Sequence, residues 1–184
     1  MVTRNSVLFA LLGLVALVGC STDVSPFTAA SFKTLPAEGT RVLVWGQPQV
    51  AVTAAETWLQ NRGLVVVDRT KTELQSCRDE CPEESVLKMG RSARADHIVF
   101  LRASREQEPK QVIASIRSVR ASNSEDLWQA TAREAVPAEA TEAEVSGELV
   151  KVVCHALATA WGFRGGGYER DPSLDFCHLK GLRP

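Results

Sequence analysis

The sequence predicts an α/β fold: a mixed sheet in the order β-α-β-α-β-β-β-α with helices packed on it. Three observations carry this expectation. Three short apolar runs, residues 40–46 (TRVLVWG), 64–69 (LVVVDR) and 96–103 (DHIVFLRA), are separated by stretches of helical period. A Thr-x-x-Glu pattern, whose hydroxyl and carboxylate can satisfy the free N–H groups of a first helical turn, occurs at Thr53/Glu56, Thr70/Glu73 and Thr141/Glu144. Two partly alternating runs, 111–120 and 126–136, then follow one another through a turn. Strands alternating with helices pair in parallel through right-handed crossovers, and turn-linked strands extend a sheet antiparallel.

Taken in order, 40–46 reads as a buried strand ending in Gly46. Thr53 is expected to open a helix with Ala54, Ala55, Trp58 and Leu59 on its inner face, stopped by Gly63. The run 64–69 is the second strand, and Thr70 is expected to open a second helix. Cys77, Cys81 and Pro82 interrupt that helix, because proline cannot sit inside one. It resumes from Glu83 or Glu84 to Ala95, with Val86, Leu87, Met89, Gly90 and Ala93 inward. The third strand is 96–103, and 106–110 (EQEPK) is a turn. Strands 111–120 and 126–136 flank the turn SNSE at 122–125. Within the last strand, Trp128, Ala130 and Ala132 share a face, and its outer edge is expected to be open for strand addition by a partner. The final helix follows Thr141 and buries Val145, Leu149, Val152, Val153, Ala156, Leu157 and Ala160 before Gly162. Residues 164–184 read as a tail.

The N-terminus has a different character. Arg4 precedes the apolar stretch 7–18, which is too short to span a bilayer comfortably, and Leu17-Val18-Gly19-Cys20 closes it. This junction resembles the lipobox of bacterial lipoproteins. The resemblance implies cleavage before Cys20, lipidation of its thiol and amine, and attachment to a membrane without a spanning helix. The expected division is a signal peptide at 1–19, lipidated cysteine and coil-like tether at 20–39, an α/β domain at 40–163 and the tail at 164–184. Ser21 after the cysteine favours the outer membrane, with the domain facing the periplasm.

Removing residues 1–19 takes away Arg4 and no acidic residue, so the formal charge moves from −1 to −2. That balance argues against a general nucleic-acid binder. Four cysteines remain beside Cys20, and an even number in an exported chain favours disulfides. The expected pairs are Cys77–Cys81 and Cys154–Cys177. The competing reading is a zinc site built from these thiols with His155 and His178, whose spacings match no familiar closed site. No metal or cofactor is expected. His97 reads as structural, Gly165-Gly166-Gly167 as a hinge without the strand-before, helix-after context of a phosphate loop, and Trp45, Trp58, Trp128 and Trp161 as core. Trp128 beside an open edge is the one candidate among them for a partner anchor.

The stretch Val65 to Arg69, followed by Met89-Gly90, Ala95-Asp96 and the strand His97 to Ala103, resembles periplasmic α/β domains. These domains occur in the curli-secretion lipoproteins, in lipoprotein activators of penicillin-binding proteins and at the N-terminus of the Tol-system propeller protein. The likeness runs from Thr40 to Phe163. The membrane-spanning hairpin segment of the curli-secretion pores has no counterpart here. The resemblance implies a non-enzymatic envelope domain that docks onto other proteins or the cell wall, through a protein partner and a membrane lipid. The alternative is a thiol-disulfide or hydrolytic envelope enzyme. It lacks a visible nucleophile–base pair.

Overall fold

A computed structural model describes residues 23–28, 36–69, 81–108 and 110–160. Among the described residues, six strands and three helices form a three-layer α/β/α arrangement. The strands are β1 (Asp23–Thr28), β2 (Arg41–Gln47), β3 (Val65–Val66), β4 (His97–Gln107), β5 (Lys110–Arg120) and β6 (Asp126–Ala135). The helices are α1 (Gln49–Asn61), α2 (Glu83–Ser92) and α3 (Glu142–Ala160). The strands lie in one mixed sheet of order β1-β6-β5-β4-β2-β3, in which β2 pairs in parallel with β3 and β4 while β4, β5, β6 and β1 run antiparallel in succession. The expected α/β class and the mixed sheet are therefore what the chain forms.

One face of the sheet is covered by α1 and α3. Trp58, Leu59, Leu149, Val153 and Leu157 interdigitate there with Val42, Val44, Val99, Leu101, Val112, Ile116 and Ala132. On the opposite face α2 covers one corner, where Val86 and Met89 pack on Leu43, Ile98 and Val119. Gly90 lets that helix approach closely: a Cβ there would sit 2.3 Å from Ile98 Cδ1. The helical faces read from the sequence are the buried ones for α1 and α3; on α2, Val86, Met89 and Gly90 are buried while Leu87 and Ala93 are only partly so.

The capping box at Thr141 forms as its residues imply. Glu144 N–H donates to Thr141 Oγ1 at 3.3 Å, and Thr141 N–H donates back to Glu144 Oε2 at 2.7 Å. Those bonds hold the Glu144 carboxyl below its ordinary range, the backbone donor first. The box at Thr53 does not cap anything. α1 begins at Gln49, where Pro48 (φ −73°) is the N-cap and its carbonyl accepts from Ala51 at 3.0 Å. Thr53 thus lies inside the helix, with its carbonyl accepting from Thr57 Oγ1 at 2.8 Å. The box at Thr70 lies outside the described residues, as do Cys20, Cys77, Cys177, His178 and the tail.

Two further expectations are corrected. The second strand is two residues long, not six, because it is an edge strand paired only with the start of β2; Val67 N–H still donates to Val42 O at 2.8 Å. Within the expected coil-like tether, Asp23–Thr28 is a strand that pairs along β6 from Asp23↔Arg133 to Thr28↔Trp128. The outer edge of β6 is consequently occupied by the chain's own N-terminal segment, so strand addition there is closed. Pro26 is compatible with this place, since proline lacks the N–H that an interior strand must donate and so sits at sheet edges. Trp128 is 1% exposed, which removes it as a surface anchor. A register shift between Ser118 and Val119 accompanies the burial of both Leu127 and Trp128.

Candidate functional site

The sheet face bearing α2 is only partly covered, and side chains alternate across a strand, so its exposed part is read off the register in rows. The row Leu43, Ile98, Val119 lies under α2. Next comes Trp45, Phe100, Arg117, Gln129, and then Gln47, Arg102, Ser115, Thr131. A further row holds Ser104, Ile113 and Arg133. The face thus grades from apolar beneath the helix to polar and basic away from it.

Between the second and third rows lies a cleft of about 440 Å³ lined by Trp45, Gly46, Gln47, Phe100, Arg102, Ser115, Arg117 and Gln129. Arg117 forms its lower wall. Its guanidinium stands 5.2 Å from the centre of the Phe100 ring and pairs with Glu83 at 2.5 Å and Asp126 at 3.6 Å. These three contacts fix Arg117 and largely neutralise it. Arg102, exposed one row away, takes part in no ion pair among the described residues, nor does the exposed Arg133. Ser115 Oγ and Thr131 Oγ1 lie 3.4 Å apart on the floor. Two uncommitted guanidinium groups beside hydroxyls, an amide and an aromatic platform suit an acidic ligand, because Arg donates in a planar fork that matches carboxylate.

Gly46 shapes the upper wall. A Cβ on it would meet Leu101 O at 1.8 Å and Leu101 C at 2.6 Å, so only glycine lets β2 lie against β4 at this rung. The sequence pattern assigns Trp45 to the core and gives no role to Phe100, Arg102 or Arg117. Ser115 and Arg117, alternating with the apolar Ala114 and Ile116, are the available signal for a wet face.

The cysteines fall on different sides. Cys154 is fully buried among the α1/α3 layer, whereas Cys81 packs at the margin of the α2 cluster on the opposite face. The sheet separates them, so Cys81 and Cys154 are not partners of one another, and of the three possible pairings that one is removed. Among the described residues no group of three His, Cys, Asp or Glu could hold a metal ion. His97 is buried beside Asp96 at the start of β4, on the face opposite Phe100 and Arg102, and burial lowers its pKa against the opposing pull of Asp96.

A buried ion pair stands on the other face. Glu134, 3% exposed, meets Lys151 Nζ at 3.3 Å, and the same ammonium meets Glu148 Oε2 at 3.2 Å. Burial pulls the Lys151 pKa down, but Glu148 and Glu134 together outweigh it and raise it. This trio ties α3 to β6 and reads as structural.

No protein-family model matches the chain, and no characterised protein sequence matches it. Solved structures do. A single-substitution variant of the PelC dodecamer from Paraburkholderia phytofirmans superposes with a TM-score of 0.53 at 14% identity, over 77% of this chain and 99% of that one. A second PelC dodecamer from the same organism gives 0.51 at 13% identity, over 77% and 98%. Lipoprotein GNA1162 from Neisseria meningitidis gives 0.45 at 14%, over 66% and 98%. At such identities the PelC likeness establishes one thing: this chain has the fold of those bacterial proteins over most of its length.

Proposed function

We propose that this is a lipid-anchored bacterial envelope protein that docks an acidic partner, another envelope protein or the cell wall, on the open face of its sheet, without turnover. The observation that supports it is the pair of uncommitted arginines, Arg102 and Arg133, on the part of the sheet face that α2 leaves bare among the described residues. Cys20 carries the lipid in this reading, the outer membrane is the address, and Cys77–Cys81 and Cys154–Cys177 are the disulfides. The likeness to the curli-secretion group belongs to the same reading. The PelC neighbours are dodecamers, so self-assembly into a dodecamer is part of what is proposed, and sedimentation of the purified protein measures it.

The decisive experiment is crosslinking in intact cells with the wild type and with Arg102→Glu/Arg133→Glu. Capture of one defined partner by the wild type, lost in the reversed-charge variant at unchanged thermal stability, supports the reading. Equal capture by both proteins, or a substrate consumed by the wild type, refutes it. Cys20→Ala is expected to block acylation and processing, read as intact mass and detergent partition.

A further inference from the structure

The position of β1 sets how the domain stands on a membrane. Asp23 opens β1 and is level, through the register, with Arg133, Ile113 and Ser104. From that level the β4–β5 hairpin continues for three more residues to Gln107, about 10 Å at the rise of a strand. Cys20 precedes Asp23 by three residues, which span at most about 10 Å when fully extended. The hairpin tip therefore reaches at least as far as the lipid-bearing cysteine can.

We propose that the tip of the β4–β5 hairpin, Gln107, Glu108 and Lys110, rests on the phospholipid headgroups of the leaflet that holds Cys20, as a second contact beside the lipid. This rests on the lipidation of Cys20 proposed above. The reach decides against the inverted pose. The turn at 121–125 lies eight residues beyond the level of Asp23 along β5, about 27 Å, which exceeds the reach of three residues. The chemistry of the tip fits a surface and not the hydrocarbon: Glu106, Gln107, Glu108 and Lys110 are all exposed, and Gln111 Nε2 donates to Glu106 Oε2 at 2.7 Å. Lys110 faces the phosphate of a zwitterionic headgroup, and Glu108 its ammonium. At the same end Glu142 is paired with Arg105 at 3.4 Å, so the exposed Glu139, with Glu106 and Glu108 against Lys110, leaves an acidic balance that favours phosphatidylethanolamine over an anionic lipid. In this pose the cleft opens sideways, close to the bilayer.

The test uses full-length, processed protein in phosphatidylethanolamine/phosphatidylcholine vesicles, with a benzophenone amino acid placed at position 108 or at position 123. Intact mass first establishes the lipid on Cys20. An unmodified cysteine would sink the anchor reading itself, and the pose with it. On lipidated protein, ultraviolet light is expected to give lipid adducts at 108 and none above the dark control at 123. Inserting ten Gly/Ser residues between Thr22 and Asp23 is expected to abolish that selectivity. Equal adducts at both positions of the uninserted protein, or adducts at 123 alone, overturn the proposal, as does selectivity that survives the insertion.

Discussion

Replacing Gly46 by Ala tests the account of the cleft most directly. The added Cβ would lie 1.8 Å from Leu101 O, whereas real Cβ contacts essentially never fall under 3.0 Å, so the strands must part by at least 1.2 Å. The obstacle is backbone, and no side-chain rotation relieves it. A ladder bond of ~2.9 Å lengthened by that amount is no longer a hydrogen bond. The rungs at stake are Gly46↔Leu101 and Gln47↔Arg102, at the end of the parallel β2–β4 pairing. Two net hydrogen bonds at about 1 kcal/mol each, together with loosened burial of Leu101, give a loss of about 2–4 kcal/mol. For a domain of this size that is a fall in Tm of roughly 6–12 °C. Gly39→Ala is the control. Nothing lies within 4 Å of its Cβ, and its φ of +83° adds only left-handed strain of about 1–2 kcal/mol. Urea unfolding followed by fluorescence measures both. A Gly46→Ala protein within ~0.5 kcal/mol of the parent would show that the close approach of β2 and β4 does not constrain the wall.

Lys151→Met removes the ammonium from the buried Glu134 carboxylate and is expected to cost about 2–3 kcal/mol, at the low end for such pairs because the lysine is itself 29% exposed. Adding Glu134→Gln is expected to recover part of it, and a double-mutant cycle by urea denaturation reads the coupling. Thr141→Ala deletes a formed N-cap and is expected to cost about 1 kcal/mol, whereas Thr53→Ala, inside α1, is expected to cost no capping energy. Burial lowers the folded pKa of His97 below its ordinary 6.5, so the unfolded chain takes up the proton first; stability is full above 6.5 and declines as pH falls through that value. Urea midpoints at pH 7.5 and 5.5 measure the slope, and His97→Gln is expected to flatten it.

Legibility follows the range of the forces involved. The helix at Thr141 is readable because its signal and its hydrogen bonds lie within one turn. The same pattern at Thr53 misleads, because the N-cap is Pro48, five residues earlier, and the apolar Val50, Ala51 and Val52 join the packed face. β1 is invisible for a different reason: DVSPFT has no alternation, and its partner β6 lies about a hundred residues away. The cleft is half legible. Its residues sit in strands that the sequence locates, yet which face stays bare depends on α2 being ten residues long and covering only one corner.

The pairing of β1 with β6 also determines how load would pass into the domain from the N-terminal anchor proposed above. A pull delivered at Asp23 acts along the axis of β1, while the backbone bonds of an antiparallel pair lie across it. The bonds along the six-residue register are therefore sheared together, not peeled in sequence as they would be from a strand gripped sideways. Drag on anything bound to the sheet is transmitted through β6, β5 and β4 to the same clamp. The N-terminal segment serves as the mechanical root of the fold.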